Sequence, residues 1–161
     1  MPSKTEQLQI IQRMKNQLKN HHVVKRMFQE WDADIELLDL MPMAFADLEV
    51  SARTDHGIIY FNSNLLKDGF DNDDHYMVHE LTHGLQQCFG DRPTTGGSDG
   101  DDYVSNKYEV EGFQNQTEYL SDEYNDTTAE RYVERVLDHH KLHGTKRKHR
   151  KDVLLQLASK D

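Results

Sequence analysis

Apolar residues recur along the start of the chain at helical intervals. Leu8, Ile11, Met14 and Leu18 follow one another in steps of three and four, which predicts an amphipathic helix over residues 5–20. Val23, Val24, Met27, Phe28 and Trp31 predict a second helix or a bent continuation of the first. A short apolar stretch at 35–40 ends at Met41-Pro42. The period then shortens. Residues 46–53 and 57–61 read as strands, and Thr54-Asp55-His56-Gly57 between them has turn chemistry, so a hairpin is expected. Leu65-Leu66 starts a helical turn that stops at Asp68-Gly69.

Asp71, Asn72, Asp73 and Asp74 are N-cap residue types, and acids there suit the positive end of a helix. They predict a helix over about 73–89, stopped by Gly90. Glycine and proline among acids and hydroxyls predict a loop over 91–105, with a lid as its expected role. Three more helices follow, over about 106–123, about 126–142 with Asp126 or Thr127 as its cap, and about 146–158. The sum is an α+β fold, mostly helical, with a two- or three-stranded sheet packed on the helix at 73–89. One domain over 1–161 is expected, with N-terminal helices in 1–45, a catalytic core in 46–123 and C-terminal helices in 124–161.

Composition narrows the class. Hydrophobic residues are 35% of the 161, and mean hydropathy is -0.89, yet seven Tyr, six Phe and one Trp can anchor a core. That argues against a wholly disordered chain. No apolar run approaches the roughly 20 residues of a spanning helix, so no membrane partner is expected. Cys88 is the one cysteine, which excludes a disulfide scaffold and points to a reducing, cytoplasmic location. The first residues have no apolar signal-peptide core. The net charge of -10 argues against nucleic acid as a partner. The one basic run, Lys146-Arg147-Lys148-His149-Arg150-Lys151, reads as a solvated helix start. Ten histidines are an excess that invites a chemical explanation.

That excess has a centre at His79-Glu80-Leu81-Thr82-His83. Residues four apart share a helix face, so both imidazoles can reach one ion, and neutral imidazole suits zinc. Glu80 is rotated by about 100° from His79, which sets it beside the ion, where it can take a proton from a metal-bound water. Val78, Leu81, Leu85 and Cys88 make an apolar stripe along the same helix. A third protein ligand is needed, and the next long helix offers Glu109 and Glu111. Its apolar face is Val110, Phe113, Thr117, Leu120 and Tyr124. Glu109 falls about 60° from the centre of that face and Glu111 about 140°, so wheel position favours Glu109 and leaves Glu111 as the alternative.

The run from Met77 to Gln87 resembles the active-site helix of zincin metallopeptidases. Glu109-Val110-Glu111-Gly112 is similar to the glutamate-bearing second helix of the gluzincin branch, where E-x-x-A is common. Gly112 stands in place of the alanine, and Phe113 replaces a frequent acid or amide. Small single-domain zincins of bacteria and their phages share the order of N-terminal helices, strand pair, motif helix and glutamate helix. The likeness covers about 57–120. It implies a zinc metallopeptidase with His79, His83 and Glu109 as metal ligands, one Zn2+ per chain, Glu80 as general base, and a protein or peptide substrate. It also implies an edge strand that pairs with extended substrate, for which residues 57–62 are the candidate.

An oxyanion donor is expected among Tyr103, Tyr108, Tyr119, His139 and His140. His139 and His143, four apart, form a second candidate cluster. Asp99-Gly100-Asp101-Asp102 lacks the EF-hand pattern and reads as a solvated loop. The alternative function is a catalytically silent, zinc-stabilised binding or regulatory module using the same cleft. Intact Glu80 argues against it, and so does the lack of a fourth, closing ligand of the kind structural zinc sites carry.

Overall fold

Ser3 and Glu6 open the first helix reciprocally. Ser3 Oγ accepts from the Glu6 N–H at 3.2 Å, and Glu6 Oε1 accepts from the Ser3 N–H at 3.1 Å, which satisfies two of the donors a helix start leaves bare. The structure, a computed structural model, describes residues 2–68, 70, 72–91 and 100–156. It has α1 (Lys4–Lys19), α2 (His22–Glu30), α3 (Leu37–Leu40), β1 (Met43–Ala46), β2 (Ala52–Asp55), β3 (Ile58–Asn62), a 3-10 turn (Ser63–Asp68), α4 (Asp74–Phe89), α5 (Gly100–Ser105), α6 (Lys107–Glu123), α7 (Asp126–His139) and α8 (Gly144–Leu154). This is the expected α+β class, mostly helical with a small mixed sheet. Among the described residues no helix is long and apolar enough to cross a membrane. The chain forms two compact units, Met1–Thr95 and Gly96–Asp161.

In the first unit α1 and α2 are separate helices. Ile11, Met14 and Leu18 are buried, while Leu8 is 61% exposed, so the inward stripe of α1 starts at its second turn. α2 ends where Asp32 turns left-handed, with Asp32 N–H donating to Gln29 O and Ala33 N–H to Phe28 O, a bonded stop that satisfies the last carbonyls. Lys15 is buried, and its Nζ donates to Met41 O at 2.7 Å and Asp39 O at 3.4 Å. Burial pushes this ammonium below the ordinary lysine range.

The sheet order is β1-β3-β2, parallel between β1 and β3 and antiparallel between β2 and β3. This corrects the strand expected over 46–53. Asn62 Nδ2 donates to Leu48 O at 2.9 Å and Val50 O at 3.0 Å, so the backbone there wraps around one amide instead of extending. The hairpin turn is shorter than expected, just His56 and Gly57, at φ 50° and 78°. Two positive-φ residues match the twist of flanking strands, and Thr54 and Asp55 thereby belong to β2. Phe45, Phe61 and Phe70 meet with ring centroids 5.0 to 5.7 Å apart and fill the space under the sheet.

α4 packs on α2, β2 and β3. It is enclosed all round: Asp74, His75 and every residue from Met77 to Gln86 are buried. Gly84 permits part of this, because a Cβ there would stand 2.5 Å from Met41 Cε. Cys88 is exposed, so the predicted stripe ends at Leu85. Asp73 holds the N-cap position without capping the helix through its side chain, and Asp71 lies outside the described residues.

Among its described residues the second unit has helices and no strand. Val104, Phe113, Val133, Leu137, Leu142 and Leu154 form its core. Asn106 Oδ1 caps α6, accepting from Tyr108 N–H and Glu109 N–H. α7 is capped by Asn125, not by Asp126 or Thr127: Asn125 Oδ1 accepts from Thr128 N–H at 2.8 Å. α7 ends at His139, three residues earlier than expected. Lys141 is left-handed at φ 60°, its N–H donates to Asp138 O, and Leu142 N–H donates to Leu137 O, both at 3.0 Å. Leu142 then packs back into the core beside Leu137, the apolar contact that accompanies this kind of stop. From α6, Gln114 Nε2 and Thr117 Oγ1 donate to the last carbonyls of α8, Val153 O and Leu154 O, both at 2.9 Å.

Candidate metal centre

The i, i+4 spacing on α4 brings the two motif imidazoles together. His79 Nε2 and His83 Nε2 lie 3.0 Å apart, with the rings nearly perpendicular. Two imidazole nitrogens sharing one tetrahedral zinc at about 2.05 Å each stand about 3.3 Å from one another, so the pair is already near the spacing such an ion requires. Both rings are buried. His83 Nδ1 lies 2.8 Å from Gln86 Oε1. An amide oxygen only accepts, so Nδ1 carries the proton and Nε2 keeps its lone pair. The chemistry of these donors fits zinc.

Glu80 is buried beside the pair, and one oxygen of its carboxylate is held. Thr54 Oγ1 donates to Glu80 Oε1 at 2.9 Å and lies 3.2 Å from Glu80 O. Thr54 was expected in a turn, and only the pairing of β2 with β3 turns it toward α4. Gln87 ties the same hairpin to the helix: its Oε1 accepts from Gly57 N–H at 2.9 Å, and its Nε2 donates to Thr54 O at 3.2 Å. Neither Thr54 nor Gln87 carries a local signal of its role, because both partners lie 26 or more residues away.

The strand proposed from sequence for substrate pairing, 57–62, is β3, which is central and hydrogen-bonded on both sides. It has no backbone edge to offer. Among the described residues β2 has a neighbour on one side only. Asn62 N–H donates to Ser51 O, and alternation along an antiparallel pair then turns the backbone groups of Ala52 and Thr54 away from β3.

Glu109 stands in the first turn of α6, in the second unit, and is 8% exposed; Glu111 is half-buried. Gly112, Gln116 and Tyr119 are buried on one side of Glu109, and Phe113, Thr117 and Leu120 on the other. At about 100° per residue, Glu109 therefore lies near the middle of a broad buried band, with Glu111 about 160° away around the helix. The band is wider than the apolar face because Gln116 and Tyr119 belong to it, and their polarity concealed this in the sequence. Tyr119 is fully buried. Tyr103 stacks on His140 at 4.5 Å and meets Phe113 edge-on at 5.9 Å. Tyr108 carries Lys107 Nζ 4.9 Å over its ring.

His139 and His143 do not share a helix face, because the left-handed Lys141 separates them; both are exposed. The acidic stretch at 99–102 falls partly outside the described residues, as does most of the expected lid at 91–105; from Gly100 the chain is helical. The basic run is α8, and part of it is paired. Arg147 bonds Glu134 and Asp138, the latter at 2.6 Å, and Lys151 Nζ is 3.2 Å from Glu134. The Arg147 guanidinium, then Lys151, holds the Glu134 carboxyl below the usual range.

No family model, no curated protein and no solved structure matches the chain.

Proposed function

We propose that the chain is a zinc-dependent peptide hydrolase. The observation that supports this best is the buried pair of imidazole nitrogens 3.0 Å apart, with the Nδ1 proton of His83 taken up by Gln86 and the Glu80 carboxylate one residue away. A buried helix places histidines so only at the cost of desolvating several polar groups, and a shared ion offsets that cost.

His79, His83 and Glu109 are the ligands in this reading. A zinc ion held there supplies Lewis acidity to a substrate carbonyl and to water. Glu80 accepts the proton of the attacking water and returns it to the leaving amine. The outer edge of β2 takes an extended peptide by strand addition through the Ala52 backbone and the Thr54 N–H, Thr54 O being held by Gln87, and replaces β3 in that role. A protein or peptide is then the substrate.

The experiment has three arms. Elemental analysis is expected to find about one zinc per chain, removed by chelator, with a rise in melting temperature on adding zinc back. Glu80→Gln is expected to keep zinc and fold and to lose cleavage of an unstructured protein substrate. Glu109→Ala is expected to lose zinc, while Glu111→Ala costs at most the roughly 10–100-fold of an outer contact. Protein that neither holds zinc nor shifts its melting with it refutes the proposal. Zinc binding without any hydrolysis favours the silent module.

A further inference from the structure

Resting on the reading of Glu80 as the base, we infer that Thr54 is its positioning residue: its hydroxyl pins Oε1 and thereby selects Oε2 as the oxygen that takes the proton. A glutamate side chain has three rotatable bonds, and a base must stand within hydrogen-bond reach of the proton it removes. The Thr54 hydroxyl sits 2.9 Å from Oε1 and 3.2 Å from the carbonyl of the same residue, so its one proton lies between the two oxygens, with the carboxylate the nearer and charged acceptor. Thr54 itself is 4% exposed and β-branched, on a strand paired with β3, so its hydroxyl has little freedom.

Gln87 reinforces the arrangement about two turns further along α4. By bonding Thr54 O and the Gly57 N–H it fixes β2 and its turn against the helix that carries Glu80. The residue that holds the base is thus on the outer strand of the sheet, beside the outward backbone groups of Ala52, which couples the position of a paired peptide to the position of the carboxylate. Oε2 has no hydrogen-bond partner among the described residues, as a base oxygen requires.

The test compares Thr54→Val, which keeps the shape and loses the hydroxyl, with Thr54→Ser, which keeps the hydroxyl. Thr54→Ala serves as the second hydroxyl-free variant if valine impairs folding. Thr54→Val is expected to lower kcat on the order of 10- to 100-fold, as for a lost hydrogen bond to a charged group, with KM and zinc affinity unchanged, and Thr54→Ser is expected to recover most of it. A second readout needs no activity: side-chain scalar couplings of Glu80 in the purified protein should report one rotamer in the parent and in Thr54→Ser, and averaging in Thr54→Val. Unchanged kcat in Thr54→Val, a single Glu80 rotamer without the hydroxyl, or a serine variant as impaired as valine overturns the assignment. If the parent cleaves nothing, the hydrolase reading falls by that result, and the couplings still decide what Thr54 does.

Discussion

Gln86 gives the sharpest test of how His83 is held. Its Oε1 lies 2.8 Å from His83 Nδ1, and the residue is 2% exposed. Gln86→Met keeps much of the volume and removes the acceptor. The buried Nδ1–H then has nothing to donate to through Gln86, which costs about 1–3 kcal/mol for an unsatisfied buried donor. The imidazole also loses its preference for the tautomer with Nε2 free, and zinc affinity is expected to fall about 10–100-fold. Gln86→Glu retains an acceptor and should bind zinc at least as tightly as the parent. Urea denaturation of metal-free protein followed by circular dichroism reads the first quantity, and competition with a chelating dye reads the second. A Gln86→Met protein that binds zinc like the parent, while His83→Ala does not, would refute the claim that Gln86 sets the nitrogen His83 presents.

Three further outcomes follow from the packing and the charges. Leu81 is fully buried on α4, so Leu81→Ala should cost about 2–5 kcal/mol through lost burial and a cavity, read as a lower urea midpoint. Glu134 titrates below the ordinary carboxylate range through Arg147 and Lys151. Its contribution is therefore fully present above about pH 4.5, the unfolded value, and is lost as pH falls through the lower folded one. Melting temperatures between pH 7 and pH 3 should drop less for Glu134→Gln than for the parent; an equal or steeper drop would contradict this. Asn125→Ala should cost about 1 kcal/mol by removing the cap of α7, and a Thr127→Ala control should cost less.

The longer helices were legible in the sequence because their signals are local, whereas α5 falls in a stretch expected to be a loop. The spacing of His79 and His83, the stop at Gly90 and the apolar steps of α1 and α2 each lie within a few residues. The misreadings have non-local causes. β1 is four residues long and pairs in parallel with a strand sixteen residues on, so nothing beside it announces a strand. Thr54 and Asp55 are polar and precede His-Gly, which resembles a four-residue turn until β3 claims them. The end of α7 depended on Lys141 adopting a positive φ, a conformation its residue type does not favour. Of the candidate site, the imidazole pair could be placed in advance. The groups that orient it and Glu80 could not: Gln86 reads only as part of a likeness, and Thr54 as part of a hairpin turn.

The complete enclosure of α4 bears on how the first unit comes apart. A helix with a wet face can fray or slide while its dry face stays anchored. α4 has no such face between Met77 and Gln86, and its ties to Thr54 and Gly57 reach across 26 to 33 residues of chain. Its order is therefore borrowed from distant segments, and local openings have little to act on. Its central amide protons should exchange with solvent only when the unit opens as a whole.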